Sequence, residues 1–216
     1  MRSKPAADSR VAVGLQSPDG RSQRGLRTRR AIQEAALELF ATYGYEATTV
    51  AQITARAKVS DRTFFVHFST KEDVLFNGPR TEIDELDRLV EQAPAHLSDL
   101  AAVEHGLLRV HEQNPPSPLD HKMTGLLVRA AVTSPLVRGK QMEYGDQLAA
   151  AAAKGLARRR HEKTPSLAAV TLAEVALKIH HLAVIEWTNA AAEDINTIFA
   201  KRMNLLRDLA QDPSQF

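Results

Sequence analysis

The sequence predicts an all-α protein, and three observations lead to this fold class. Apolar residues recur at spacings of three and four along most of the chain, which is the period of one face of a helix. Val, Ile and Thr rarely alternate with polar residues, and no Asn-Gly or Asp-Gly turn separates two such runs, so strand signals are almost absent. Long alanine-rich segments add high intrinsic helix propensity.

The composition is that of a soluble globular protein with room for a sizeable core. The chain has 216 residues, of which 25% are charged, and it has no cysteine. The lack of cysteine excludes disulfides, thiolate zinc sites and cysteine nucleophiles, and it fits a reducing cytoplasm. No stretch is expected to approach the roughly 20 apolar residues of a membrane span. No secretory signal is expected at the N-terminus.

The charge is distributed unevenly along the chain. Residues 1–80 hold 13 Lys and Arg against 8 Asp and Glu, whereas residues 81–216 hold 15 against 18. Such a split indicates a polyanionic partner at the N-terminal end, although a solvated basic tail would have the same composition. Residues 1–23 mix Ser, Pro, Gly and charge without a period, which predicts a disordered basic tail.

The first two helices are predicted from an apolar stripe and a capping pattern. A helix starts at Thr28 and ends at Gly44. A second helix follows Thr49, because a Thr with Gln52 three residues later is a capping-box pattern. The stripes consist of Ile32, Ala35, Ala36, Leu39 and Phe40 in the first helix, and of Val50, Ile53 and Ala57 in the second.

A short third helix is predicted over residues 61–67, with Ser60 as its N-cap. A second capping box, Ser69 with Glu72, predicts one longer helix that runs through Val90 and ends before Pro94. Proline-containing breaks then separate five more helices. These are predicted over residues 97–113, 119–133, 135–162, 166–191 and 194–211.

The second and third helices are joined by about three residues, which is the layout of a helix-turn-helix. In that motif the N-terminal residues of the second helix face base edges in the major groove. Arg62 has the donors for a guanine edge, Asp61 is an acceptor for cytosine, and Thr63 suits a thymine methyl or a phosphate. Ser60 lies beside them. Phe64, Phe65 and Phe68 are expected to wedge the short helix into its neighbours.

This string of residues resembles the DNA-binding domain of the TetR family of bacterial regulators. The resemblance covers about residues 26–78 and implies a DNA-binding domain over 24–78, followed by a ligand-binding and dimerisation domain over 79–216. The matching residues are Thr28–Ile32, Ala35–Phe40, Gly44–Tyr45, Thr48–Val50, Ile53, Val59–Ser60, Thr63–Phe68 and Lys71–Asp73.

The resemblance also implies roles for individual residues. Thr49, with its neighbour Thr48, and Lys71 match positions that contact phosphates, and His67 matches a position near the DNA backbone. Phe65 stands where the family usually has tyrosine, so it is given a packing or van der Waals role. Lys58 stands where the family often has glycine, so it either tolerates a positive φ or marks a different turn.

Two arginines before the helix-turn-helix are further candidates for DNA contact. Arg24 and Arg27 could belong to an arm that enters the minor groove. A flexible tail that adds nonspecific affinity is the alternative.

Neither a metal site nor a catalytic site is expected. The histidines of the C-terminal half make no i, i+4 pair, and the sequence contains no HExxH, GxSxG, GxxxxGK[ST] or GxGxxG motif. We therefore expect no cofactor and no enzymatic activity.

The C-terminal half is expected to bind an apolar or acyl-type small molecule between its helices. For each candidate lining residue, ordinary core packing is the alternative. The candidates are Met123, Leu127, Met142, Tyr144, His180, Val184 and Trp187.

The last predicted helix carries a long apolar stripe that a monomer would expose. Paired with its symmetry mate and the preceding helix, it predicts an isologous four-helix dimer interface. The residues of this stripe are Ile195, Ile198, Phe199, Leu205, Leu206 and Leu209.

The sequence therefore predicts a dimeric repressor that a small molecule releases from operator DNA. An activator of the same architecture is an alternative, because the position of the operator relative to the promoter decides whether binding represses or activates transcription. A second class of alternative is a helical enzyme or small-molecule-binding protein with an incidental helix-turn-helix.

Overall fold

The computed structural model describes residues 20–75, 81–113, 116, 118–190 and 193–211, and these ranges consist of helices joined by turns and loops, without a strand. This confirms the all-α prediction. The helices are α1 (Gly20–Tyr43), α2 (Val50–Ala57), α3 (Asp61–His67), a 3-10 turn (Glu72–Val74), α4 (Thr81–Glu91), α5 (Asp99–Gln113), α6 (Pro118–Thr133), α7 (Pro135–Arg159), α8 (Leu167–Asn189) and α9 (Ile195–Gln211).

Two predicted boundaries are wrong. Helix α1 begins at Gly20 rather than Thr28, so the disordered tail does not extend over 20–23; residues 1–19 lie outside the described residues. The single helix predicted from Ser69 to Val90 is instead a 3-10 turn followed by α4, with residues 76–80 outside the described residues. The sequence holds Gly78-Pro79 in that interval, a pair that does not suit a helix interior.

The predicted capping box before the 3-10 turn is displaced by one residue. The Thr70 backbone N–H donates to Asp73 Oδ2 at 2.9 Å, and the Asp73 backbone N–H donates to Thr70 Oγ1 at 3.2 Å. These reciprocal bonds occupy Thr70 and Asp73 instead of the predicted Ser69 and Glu72. Because Ser69-Thr70 and Glu72-Asp73 are adjacent residues of similar type, the sequence fits this capping pattern at two positions that differ by one residue.

Residues 20–75 form what we call the head, and its core is completed by a helix from the C-terminal half. Phe40, Ile53 and Phe64 are fully buried at its centre. Leu126 and Ala130 of α6 are buried in the same cluster. The head is therefore packed onto α6 as part of one hydrophobic core.

Polar contacts reinforce the packing of the head on α6. The Lys122 ammonium donates to Glu34 Oε1 at 2.5 Å and to Glu38 Oε1 at 2.7 Å. These hydrogen bonds, first that to Glu34, raise the pKa of Lys122. Ser134 at the end of α6 donates to Glu46 Oε1 at 2.9 Å. The two contacts hold both ends of α6 against the head.

A second core lies between α4, α5, α7, α8 and α9, around buried residues such as Leu86, Leu156 and Phe199. Helices α4 and α7 cross closely there, at Gly155. A Cβ atom on Gly155 would lie 2.5 Å from the Asp87 carbonyl oxygen and 2.8 Å from Val90 Cβ. The crossing requires glycine because neither neighbouring atom is the end of a flexible side chain.

Helix α8 contradicts the expectation that no stretch approaches a membrane span. Its most apolar 18-residue window has a mean hydropathy of 1.5, so α8 is long and apolar enough to cross a membrane by length and composition alone. Only 28% of that window is buried within the chain. Helix α8 thus leaves an apolar surface that a partner could cover.

Candidate nucleic-acid interface

The start of α2 is fixed by the predicted capping box. Thr49 Oγ1 accepts from the Gln52 backbone N–H at 3.3 Å, and Gln52 Oε1 accepts from the Thr49 backbone N–H at 2.8 Å. Thr49 is exposed. The capping box therefore holds an exposed hydroxyl at the N-terminus of a helix, where the dipole favours an anion.

The turn between α2 and α3 passes through the left-handed region at Lys58, with φ 56° and ψ 43°. This confirms that a non-glycine residue holds the positive φ at this turn. The Lys58 backbone N–H donates to the Ala55 carbonyl at 3.3 Å and closes α2. A non-glycine residue in this conformation costs about 1–2 kcal/mol.

The orientation of α3 is fixed at its first turn. Ser60 Oγ accepts from the Thr63 backbone N–H at 3.1 Å and lies 2.8 Å from Thr63 Oγ1. Buried Thr54 donates to Asp61 Oδ1 at 2.6 Å and so ties α2 to α3. One carboxylate oxygen of Asp61, predicted to accept from a base, is thus already engaged within the helix-turn-helix.

The outward face of α3 carries what we call the recognition face, made of Arg62, Phe65 and Val66. All three are exposed, and their i, i+3, i+4 spacing places them on one side of the helix. Phe64 and Phe68 are buried, as predicted, but Phe65 is 56% exposed, so its predicted wedging role is wrong. Val66 is 73% exposed, and sequence reasoning missed it because an apolar residue in a short helix is ordinarily expected in the core.

The C-terminal end of α3 is anchored by Arg29 of α1, which sequence reasoning also missed. Arg29 Nη1 donates to the His67 carbonyl at 2.9 Å, and its guanidinium carbon lies 4.6 Å from the centre of the Phe68 ring. A cation at the C-terminus of a helix complements the helix dipole. His67 thus contributes its carbonyl to the positioning of α3.

Lys71 lies in the predicted region, but two of the three N–H donors of its ammonium group bind carbonyls within the head. Its Nζ donates to the Tyr45 and Thr48 carbonyls at 2.7 and 2.8 Å and lies 4.1 Å from the centre of the Tyr45 ring. One of its three N–H donors remains for a phosphate. Thr48 is buried, and its hydroxyl donates to the Gly44 carbonyl at 2.8 Å, which contradicts a direct phosphate contact.

Arg24 and Arg27 are exposed residues of α1. Because the helix fixes their backbone, the flexible-tail alternative is wrong, whereas the predicted contact with the minor groove stays a prediction. The Thr28 hydroxyl donates to the Arg24 carbonyl at 3.0 Å. They are cations displayed along a helix beside the helix-turn-helix.

The seven predicted ligand-lining residues do not surround one cavity. Met123 and Leu127 pack against the core of the head, whereas Val184 and Trp187 pack against the second core. Met142 is exposed. The other two predicted residues, Tyr144 and His180, bind Glu82 and His111 respectively.

Histidines form two polar contacts along the α8 surface that faces α5 and α6. His180 Nε2 lies 3.2 Å from His111 Nε2, and His111 Nδ1 lies 2.9 Å from Asn196 Oδ1. His121 of α6 donates from Nε2 to the Trp187 carbonyl at 3.0 Å, with the two rings edge to face. Burial lowers the pKa of His180 to about 3, so its ring is neutral.

A groove between α7 and α8, with a volume of about 230 Å³, lies away from all seven predicted residues. That volume is below the range of about 300–1,000 Å³ usual for small-molecule sites. Its walls combine three alanines of α7, Pro165 and Val170 with three charged residues, Asp146, Lys154 and Glu174.

The predicted dimer stripe of α9 is divided between core and surface. Ile195, Ile198 and Phe199 are buried within the chain, so assigning them to an interface was wrong. They face the subunit's own core because α9 packs on α8 and α5. Leu205 is 56% exposed, and Leu206 and Leu209 are half-buried.

Comparison with known sequences finds proteins that are similar to the head. Residues 32–77 match the model for bacterial regulatory proteins of the tetR family. The HTH-type transcriptional regulator TcmR of Streptomyces glaucescens is 47% identical over 68 residues, which cover 32% of this chain and 30% of TcmR. The HTH-type transcriptional repressor Rv3405c of Mycobacterium tuberculosis is 35% identical over 107 residues, which cover 49% of this chain and 52% of the repressor. The matches thus span about a third to a half of these relatives.

Solved structures extend the likeness over nearly the whole fold. A regulator from Syntrophomonas wolfei, assigned to the TetR family, matches with a TM-score of 0.56 at 19% identity, over 87% of this chain and 96% of that one. A transcriptional regulator of the TerR/AcrR family from Aquifex aeolicus matches with a TM-score of 0.53 at 21% identity, over 84% and 99%. The fold is that of a helix-turn-helix domain followed by a helical C-terminal domain. The match to the tetR family model is confined to residues 32–77, and the likeness over nearly the whole chain is one of fold.

Proposed function

We propose that this chain is a cytoplasmic, sequence-specific DNA-binding transcriptional regulator that acts as a homodimer without a catalytic step. The observation that carries the proposal is the recognition face. A capped, anchored α3 presents Arg62 outward, from a head that matches a family of regulatory proteins. Side chains on such a helix reach base edges in the major groove.

The proposed contacts divide into base contacts and phosphate contacts. Arg62 has two donors for the O6 and N7 atoms of guanine. The proposed phosphate contacts are the remaining N–H of Lys71 and Thr49 at the start of α2, whose hydroxyl would turn from Gln52 Oε1 to the phosphate. Phosphate contacts fix the orientation of the head without reading sequence. Ser60 and Thr63 bind each other, so their first role is to hold α3 in place.

The proposed dimer uses the apolar surface of α8 and α9. Leu167, Val175 and Leu182 are exposed along α8, and their spacing of eight and seven residues places them on one side of the helix. Exposed Leu205 extends the apolar surface onto α9. Because an isologous dimer has a two-fold axis, it would present two heads to a palindromic operator.

We further propose repression that is relieved by a small, largely apolar effector bound among the C-terminal helices. Helix α6 supports this route, since it contacts both parts of the molecule. Its His121 binds α8 at Trp187, and its Lys122 binds α1. An effector that moves α6 would change the orientation of the head, provided that it binds the DNA-free state more tightly.

DNA binding is tested by selecting bound fragments from random duplex DNA and measuring affinity for the selected site. Arg62→Ala is expected to weaken binding by about 1–3 kcal/mol and to relax the preference at one base position per half-site. Arg138→Ala, which removes an exposed arginine of α7, is the matched control. Equal affinity and equal selected sequence for Arg62→Ala and wild type would place the recognition helix elsewhere.

The dimer is tested by light scattering of a Leu182→Glu, Leu205→Glu double variant. We expect monomers that no longer bind the palindrome, while Met142→Glu, which places a charge at an exposed site of α7, remains dimeric. A dimer that survives the double change would move the interface away from α8 and α9. Co-flotation of the wild-type protein with lipid vesicles would point to a membrane surface instead.

The effector is sought by adding small molecules to the protein–operator complex and measuring release. Acyl-type and other apolar compounds are expected to raise the apparent Kd for operator without changing the Kd for heparin to the same degree. Release by polar compounds alone would contradict the proposed effector class.

A further inference from the structure

Two large apolar side chains of α3 point to solvent although the head does not need them outside its core. Phe65 is 56% exposed and Val66 is 73% exposed. The aromatic packing of α3 is supplied by Phe64 and Phe68, which are buried. A surface helix that met only water would carry polar residues on this side. The exposed pair therefore indicates a surface that binds a partner.

The two side chains are held in place before any partner arrives. The Phe65 ring stands edge to face on the buried Phe64 ring, with 5.3 Å between ring centres and an interplanar angle of 82°. Val66 is branched at Cβ and has one strongly preferred χ1 rotamer in a helix. Fixed side chains lose little conformational entropy on binding, so even small apolar contacts would contribute to affinity.

We propose that Phe65 and Val66 read the 5-methyl groups of thymines that flank the base contacted by Arg62. This inference rests on the proposed function and deepens it. The occupant follows from the neighbours: Arg62 shares the face with both residues, and a cation beside apolar groups suits the major groove. The thymine methyl is the apolar group that base edges present in that groove.

The face fits DNA better than a protein partner because it is small. It consists of three side chains on a helix of seven residues, whereas a stable protein interface uses about 20–30 residues on each side. Each half-site is therefore expected to contain thymine next to the guanine read by Arg62.

The test replaces thymines of the selected operator, one at a time, by deoxyuridine, which lacks only the methyl group. Removing one contacted methyl should weaken binding by wild-type protein about fourfold, as expected for one buried carbon group. Phe65→Ala or Val66→Ala should bind the thymine operator more weakly and should no longer distinguish deoxyuridine from thymine at one or more of these positions. Val132→Ala is the control, since Val132 of α6 is 75% exposed.

The outcomes separate this inference from the proposed function. Wild-type protein that selects an operator but binds its deoxyuridine forms with unchanged affinity retains the regulator function and overturns methyl reading. Variants that lose affinity yet discriminate deoxyuridine as wild type does also overturn it. Protein that selects no site contradicts both proposals. The deoxyuridine series is measured on wild-type protein. It therefore decides the proposal even if Phe65→Ala does not fold.

Discussion

Helix α7 contains glycines at a crowded site and at open sites, so the effect of glycine-to-alanine substitution can be compared between them. Gly155→Ala places a Cβ atom 2.5 Å from the Asp87 carbonyl oxygen and 2.8 Å from Val90 Cβ, so α4 and α7 must move apart. Gly145→Ala places the same atom where nothing lies within 4 Å. Both changes raise helix propensity equally, and only the first disturbs packing. The pair therefore isolates the cost of the close crossing.

The expected effects have opposite signs. Replacing glycine by alanine in a helix interior stabilises by about 0.5–1 kcal/mol, which is the full expectation for Gly145→Ala. Overpacking costs about 1–3 kcal/mol, so Gly155→Ala should be destabilised by about 1–2 kcal/mol after the propensity gain. In a protein of this size each kcal/mol shifts Tm by about 2–4 °C.

Thermal unfolding followed by circular dichroism measures both variants at one fixed protein concentration, because the proposed dimer would make Tm depend on concentration. Gly139→Ala, also with nothing within 4 Å, repeats the control. If Gly155→Ala were as stable as Gly145→Ala, the α4–α7 crossing would be looser than described, and the glycine at 155 would have no packing role.

Three other predictions concern the turn, a buried histidine and the tie between α2 and α3. Lys58→Gly should raise the free energy of unfolding by about 0.5–1 kcal/mol by relieving the positive φ, whereas Lys58→Ala should not; equal urea midpoints for the two would contradict this. Because burial, with smaller effects of the His111 and His181 charges, lowers the pKa of His180 to about 3, its contribution to stability is complete above about pH 6.5 and is lost as pH falls towards 3. The wild type should therefore lose up to about 1.4 kcal/mol per pH unit in that window relative to His180→Phe, and parallel pH curves would refute it. Thr54→Val should cost about 1 kcal/mol in urea unfolding, since it removes the hydrogen bond to Asp61; an unchanged midpoint would show that this bond does not stabilise the head.

The helices and the helix-turn-helix could be predicted because their signals are local. Thr49 with Gln52 specifies a cap within four residues, and the structure confirms it. Ser60 likewise caps α3. The single helix from Ser69 to Val90 was predicted because apolar residues with helical spacing occur on both sides of Gly78-Pro79, and this helix-breaking pair was overlooked.

Which side of each helix faces the core could not be predicted, because that depends on contacts between distant residues. The α9 stripe is continuous in sequence, yet Phe199 is buried and Leu205 is exposed, since only the first part of α9 packs inward. The prediction that Phe65 wedges α3 into its neighbours, like Phe64 and Phe68, is wrong because Phe65 lies on the outer side of the helix. Arg29 contacts His67, 38 residues away, a pairing for which the sequence holds no local signal.

The shared core of the head and α6 limits where this chain can be joined to a foreign domain. A chimera that joins a foreign C-terminal half after residue 75 would lose Leu126 and Ala130, which are buried against the head. It would also lose the Lys122 partner of Glu34. A functional exchange therefore has to transfer two separate stretches of sequence, the head and the α6 residues that are buried against it. Otherwise the α6 of the new C-terminal half must be redesigned to fit the head. If the head binds DNA as proposed, a new specificity is better introduced by changing the recognition face alone, because those residues are exposed and lie outside the shared core.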